Sequence, residues 1–142
     1  MQANRRWWLY ILRLEDEKFY VGITSKTPEI RMREHQNRVR VAYWTAKHRP
    51  TEVIYSKDLG IIEKERAEKI ENKYVRKIMK EKGVNKVRGG DLTDTADYVI
   101  RFGRIYDKEA WGDAVYVLVM LVVLMVLGVD KWLVPFIPGG VR

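Results

Sequence analysis

The chain has 142 residues, with 27 Lys/Arg against 19 Asp/Glu, two histidines and no cysteine. The length suits one domain plus an appendage. The missing cysteine excludes disulfides, thiol catalysis and thiolate zinc sites, and His35 and His48 alone exclude a multi-histidine centre, so any metal is a hard cation on oxygen ligands, Mg²⁺ or Mn²⁺.

Trp7–Leu14 is aromatic and aliphatic and predicts a strand; Lys18–Thr24 predicts the returning strand after the polar turn Glu15-Asp16-Glu17. Pro28 opens a helix after Ser25 or Thr27 that runs to about Asn37. Val39–Pro50 reads as irregular and Glu52–Lys57 as a third strand. Gly60 is expected to break the chain before a long amphipathic helix, Ile61–Lys82, closed by Gly83. Val84–Gly90 reads as a loop, the next stretch is acidic through Asp91, Asp94 and Asp97, and Tyr98–Tyr106 suits a short strand or helix. The expected class is α+β: a small three-stranded antiparallel sheet flanked by helices, plus one C-terminal hydrophobic helix. The expected division is a domain over 1–90, a linker or extension over 91–110, an apolar helix over 111–132 and a short tail over 133–142.

Charge follows this division. Residues 1–90 hold 22 Lys/Arg and 12 Asp/Glu, net +10, while residues 91–142 hold 5 and 7, net −2. A basic body points to a polyanion, with nucleic acid ahead of anionic lipid, and is equally consistent with a generic basic surface.

Three local patterns carry chemistry. If Leu14 lies opposite Lys18, Tyr10 faces Gly22 and Leu12 faces Tyr20, so the two tyrosines share a sheet face as diagonal neighbours ~7–8 Å apart. Gly22 then leaves open space beside Tyr10 for a ligand. In the long helix, Glu71 falls inside the stripe of Ala67, Ile70, Tyr74 and Ile78. An ionised carboxylate there is costly unless it meets a cation or an arginine, so Glu71 is either a functional acid or half of a salt bridge. Arg31 and His35 stand one helical turn apart, and Arg33, Arg38 and Arg40 extend a basic patch suited to phosphates or to solvent.

Trp8-Leu9-Tyr10, then Tyr20-Val21-Gly22, then Arg31 with His35, then Glu71-Asn72 with Tyr74-Val75, and finally Asn85, resemble in order and spacing the motifs of the GIY-YIG nuclease family over about residues 7–90. The segments Trp44–Pro50 and Asn85–Gly90 are similar to its compact single-domain members. Trp8-Leu9 stands where the family name has Gly-Ile, a variable position in that family. The resemblance implies a Mg²⁺-dependent (or Mn²⁺-dependent) endonuclease hydrolysing phosphodiester bonds in DNA. Glu71 would be the sole protein ligand of the metal, Tyr10 the general base, Tyr20 its orienting partner and Arg31 the neutraliser of phosphate charge. His35 would assist proton transfer or hold a phosphate. Lys47, His48, Asn85 and Arg88 would join Arg33, Arg38 and Arg40 in contacting nucleic acid, with His48 alternatively ordering only its own loop.

Ala114–Val129 is sixteen uncharged residues, apolar on every side. Trp111 to Trp132 would make a helix of about 33 Å against a hydrocarbon core of about 30 Å, with a tryptophan at each end. Together with the basic body, this predicts a single-pass membrane protein with its nuclease domain on the cytoplasmic side and a lipid bilayer as partner. Alternatively the protein is soluble and cytoplasmic, with this helix buried in a homo-oligomer. Two other readings of the whole chain stay open: a nucleic-acid-binding module of the same fold that does not cut, and a membrane interaction protein whose basic face binds anionic lipid.

Overall fold

The computed structural model describes residues 4–39, 41–92 and 96–128. Strand β1 (Arg5–Leu14) and strand β2 (Phe19–Thr24) form a hairpin around a single 3-10 turn, Glu15–Glu17. Leu14 N–H donates to Lys18 O at 2.8 Å, and Tyr10 pairs with Gly22 and Leu12 with Tyr20, the register expected from the turn. Helix α1 (Pro28–Gln36) starts where Pro28 supplies a helical φ and Thr27 Oγ1 accepts from Ile30 N–H. A short helix α2 (Tyr43–Lys47) lies within the stretch expected to be irregular.

Strand β3 (Pro50–Ile62) pairs antiparallel with β1 along its length. It continues through Gly60, where a break was expected. The register slips between Trp7 and Trp8, and Gly60 takes φ +76° with its N–H on Asp58 Oδ1 at 2.8 Å. Gly60 therefore makes a bulge, absorbing one extra residue at a backbone angle that costs a glycine little. Helix α3 (Lys64–Lys82) follows and ends at Gly83.

The sheet has a fourth strand in place of the expected loop. Strand β4 (Val87–Gly89) runs parallel to β2, giving the order β3-β1-β2-β4 and a mixed rather than antiparallel sheet. Three residues are too few to show alternation, but Val87 is fully buried. Both sheet faces are covered, which is why β1 is apolar almost without interruption. On one face Leu9, Ile11, Phe19 and Val21 pack on Val75 and Met79 of α3. On the other, Tyr10, Leu12, Leu14 and Tyr20 pack on Met32 of α1 and Trp44 of α2.

Leu92, Ala96, Tyr98 and Ile105 pack on the same body. Strands β5 (Tyr98–Arg101) and β6 (Arg104–Asp107) form a second hairpin. The Asn85 side chain clamps its first residue, with Oδ1 accepting from Tyr98 N–H at 3.0 Å and Nδ2 donating to Tyr98 O at 3.4 Å. Arg88 is 2% exposed: Nη1 donates to Val84 O and Val87 O, Nη2 donates to Ala96 O, and the guanidinium lies between the rings of Trp44 and Tyr98 at 4.6 and 4.9 Å. Helix α4 (Lys108–Val126) starts directly from β6, capped by Asp107, whose Oδ1 accepts from Glu109 and Ala110 N–H. It is long and apolar enough to cross a membrane, and it is exposed along its length.

Tyr98 fills the seam between α3, β4 and Arg88. Tyr98→Ala is expected to cost about 3–5 kcal/mol, the usual range for deleting a buried ring. The check is the urea midpoint of the full-length protein in detergent micelles; an unchanged midpoint would detach the second hairpin from the packed body.

Candidate functional site

Tyr10 projects from the centre of β1 toward α1 and is 1% exposed. Its hydroxyl lies 2.9 Å from His35 Nε2. His35 Nδ1 lies 3.0 Å from Thr45 Oγ1, and Thr45 Oγ1 in turn donates to Ala42 O at 3.0 Å. Thr45 has one proton and gives it to the carbonyl, so it accepts from His35 Nδ1–H. His35 Nε2 is then a lone pair, and Tyr10 donates to it. The chain runs Tyr10 O–H to His35, His35 N–H to Thr45, Thr45 O–H to Ala42. Burial, with Arg31 nearby, holds His35 down to about 4 and therefore neutral at pH 7. His35 is 1% exposed and both of its ring nitrogens are engaged within the fold.

The space above Gly22, expected to be open, is filled by Tyr10 itself. A Cβ there would sit 2.6 Å from the Tyr10 hydroxyl, 2.7 Å from Cζ and 2.9 Å from Cε1 of Tyr20. Gly22 lets the Tyr10 ring cross the neighbouring strand. Tyr20 is the third ring of the group, centred 6.3 Å from Tyr10 and 5.3 Å from His35. Burial pushes the Tyr20 hydroxyl up to about 12, and raises that of Tyr10 further.

Arg31 reaches this group from the first turns of α1 and donates a hydrogen bond to the Tyr10 hydroxyl. Glu34 holds it from the other side: Arg31 Nη1 donates to Glu34 Oε2 at 2.8 Å, and Lys26 is bonded to Oε1. Lys26 and then Arg31 hold the Glu34 carboxyl down to about 2. The Tyr10 oxygen thus has a guanidinium on one lone pair and an imidazole taking its proton.

Glu71 sits on the innermost line of α3 with Ala67, Val75 and Met79, while Ile70, Tyr74 and Ile78 lie to one side of it. The helix therefore turns Glu71 more directly inward than the expected stripe. Strand β4 stops at Gly89, so the edge of β2 is unpaired beyond Val21, and the Glu71 carboxylate accepts from the backbone N–H groups of Ile23 and Gly90. Asn72 and Arg76 set the Gly90 turn. Asn72 Oδ1 accepts from Asp91 N–H at 2.9 Å, and Arg76 grips Asp91 with two bonds of 3.0 and 2.8 Å. Among the described residues Glu71 forms no salt bridge and belongs to no cluster of three or more metal-ligating side chains. It faces a cleft lined also by Glu68, Asn72, Gly90 and Asp91. Burial raises its carboxyl to about 7 against two backbone donors, with Glu68 and Asp91 adding to the rise. An acidic cleft around one buried carboxylate fits a hydrated divalent cation, which needs few protein ligands.

The remaining expected contacts divide. Arg33, Arg38 and Lys47 are exposed, whereas Arg40 lies outside the described residues. His48 is edge-on to Trp44 at 4.6 Å and 3.2 Å from Asp16, so it orders the loop against the first turn. Asn85 and Arg88 are instead committed to backbone groups, Asn85 to those of Tyr98 and Arg88 to the carbonyls of Val84, Val87 and Ala96, and Arg88 is buried. Sequence reasoning gave no role to Thr45, Glu34, Asn72 or the Gly90 N–H. Glu34 precedes His35 and follows Arg31 by three, a spacing that predicts their pairing. Thr45 has no such local signal.

The two buried acid-base groups act on folding with opposite signs. His35 falls from 6.5 to about 4, so its stabilisation is complete above pH 6.5 and is lost toward pH 4. Glu71 rises from 4.5 to about 7, so its contribution is complete below pH 4.5 and is lost as pH climbs to about 7. Each is worth up to about 3 kcal/mol. Metal-free protein is expected to show nearly level stability from pH 4.5 to 6.5 in urea titrations, while Glu71→Gln should become more stable with pH over that window. A level curve in the variant too would show that His35 is not held neutral by the fold.

No curated protein and no solved structure matches the chain. The family pattern described as the GIY-YIG catalytic domain matches residues 6–85, more than half of the chain and the whole span from Tyr10 to Asn85. The chain belongs to the GIY-YIG family, whose catalytic domain points to a nuclease.

Proposed function

We propose that this chain is a divalent-cation-dependent DNA endonuclease, held at a membrane by α4. The observation that carries the catalytic part is the Tyr10 hydroxyl, bonded to Arg31 and to neutral His35, beside a buried carboxylate with no salt-bridge partner among the described residues. A water attacking the scissile phosphorus gives its proton to Tyr10 Oη while Tyr10 passes its own to His35 Nε2. This concerted transfer needs no free phenolate, which burial would make scarce. Arg31 also offers donors to the phosphate oxygens as charge builds on them. Tyr20 and Met32 pack around the group and keep Tyr10 in one rotamer. A Mg²⁺ or Mn²⁺ ion held by Glu71 would neutralise charge on the departing oxygen. Exposed Arg33, Arg38 and Lys47 supply sequence-independent attraction to the phosphate backbone.

The anchoring part rests on α4, whose exposed apolar side chains from 115 to 127 form a patch far larger than a soluble monomer tolerates. A bilayer would cover all of it at once. The basic body supports a cytoplasmic side for the nuclease by the positive-inside tendency.

Cleavage of supercoiled, linear and branched DNA by the full-length protein in detergent tests the catalytic reading. Mg²⁺ is expected to support nicking and EDTA to stop it. Glu71→Gln should abolish activity, Tyr10→Phe should lower it by roughly 10²–10⁴-fold, and Arg31→Ala by roughly 10²–10³-fold. DNA binding without cleavage under all conditions would leave a binding module of the same fold.

The rate should also rise with pH through the ionisation of Glu71, near pH 7 at limiting metal. Because a cation favours the carboxylate, raising Mg²⁺ is expected to move that limb to lower pH. A limb that ignores Mg²⁺ would remove Glu71 from the metal site.

A further inference from the structure

The tip of the second hairpin is an unusual turn. Arg101-Phe102-Gly103-Arg104 places Phe102 at φ +49° and Gly103 at φ +73°, a pair of left-handed residues. Such a turn favours Asn or Asp before Gly, and a phenylalanine there is strained. Phe102 is also 89% exposed, the most exposed large apolar side chain among the described residues. A strained, solvent-facing aromatic ring calls for a contact outside the folded chain.

Its surroundings identify the contact. The Phe102 ring stands edge-on to Trp111 at 6.1 Å, and Tyr106 lies 4.8 Å from the same indole. Trp111 is in the first turn of α4, just before the uncharged run that begins at Ala114. The hairpin therefore folds back so that its tip lies level with the start of the apolar helix. Arg101 and Arg104 flank the ring and Lys108 follows β6, all three exposed, with Glu109 and Asp113 the last acids before the run. Aromatic rings beside arginines, at the end of an apolar helix, match the layered chemistry of a bilayer surface, with acyl chains below and anionic headgroups above.

We infer that the β5–β6 tip is a second membrane contact: Phe102 enters the interface beside Trp111 while Arg101 and Arg104 bind anionic headgroups, fixing the face that the nuclease turns to the bilayer. This rests on the anchoring reading of α4, and the test separates the two. The occupant favoured is lipid rather than DNA because the ring is seated against the apolar helix.

The chain has no cysteine, so single cysteines report one position each. F102C, L118C and K57C are introduced one at a time into the full-length protein. Each is labelled with a small environment-sensitive aromatic fluorophore, which at 102 stands in for the phenyl ring. The proteins are reconstituted into phosphatidylcholine vesicles with and without phosphatidylserine. The expected result is a blue shift at L118C in both vesicles, none at K57C, and one at F102C that is strongest with phosphatidylserine. Adding R101Q/R104Q should remove most of the F102C shift and leave that of L118C. A buried L118C label with an aqueous F102C label would overturn the tip contact while the anchor stands. Aqueous labels at both positions would overturn the anchor and the tip contact together. An F102C label that responds to duplex DNA but not to vesicles would assign the tip to nucleic acid and overturn the lipid contact.

Discussion

The pairing of Tyr10 with Gly22 is the constraint on which the site depends. It puts both tyrosines on the face toward α1 and removes the side chain that would hold the Tyr10 ring away from His35. Once that ring crosses β2, its hydroxyl can reach an imidazole on one helix and a guanidinium one turn earlier. A shift of one residue would send Tyr20 into the α3 core and leave His35 Nε2 without a donor. Sheet register thus sets acid-base geometry, and the 3-10 turn between the strands sets the register.

The body carries two buried groups that oppose folding in their charged forms, Glu71 and His35. Each is satisfied by neighbours that are themselves fixed: backbone N–H groups of Ile23 and Gly90 for the first, Tyr10 and Thr45 for the second. Apolar packing on both sheet faces supplies the stability that tolerates them. Arg88 belongs to the same logic from the structural side. It is a cation held inside by three carbonyls and two rings, joining α2, β4 and β5.

Much of this is written locally in the chain and some of it is not. The hairpin register follows from turn length, α1 from Thr27-Pro28, and the inward carboxylate from helical periodicity. What escaped depends on distant partners. A three-residue parallel strand is specified by the edge of β2 waiting for it. Glycine at 60 looks like a break until β1 shows that one residue must be absorbed. Arg88 and Asn85 carry the residue types of a phosphate site, yet they are claimed by Tyr98 and Ala96, about ten residues later in the chain. Thr45 acquires its role only when α2 packs beside α1. Residue type singled out Tyr10, His35 and Glu71, whereas hydrogen-bond partners show which buried polar groups are committed to backbone, as Arg88 is.

Asp107 is at once the last residue of β6 and the cap of α4, with no spacer between them. The apolar helix therefore continues the β5–β6 hairpin directly, without a tether. At about 1.5 Å per residue its 19 residues make an arm of about 28 Å. Its base is the β5–β6 hairpin, whose first residue Tyr98 packs with Val75 and Met79 of α3. The direction of α4 is thus set by the hairpin from which it grows, where a flexible linker of the same length would leave it free.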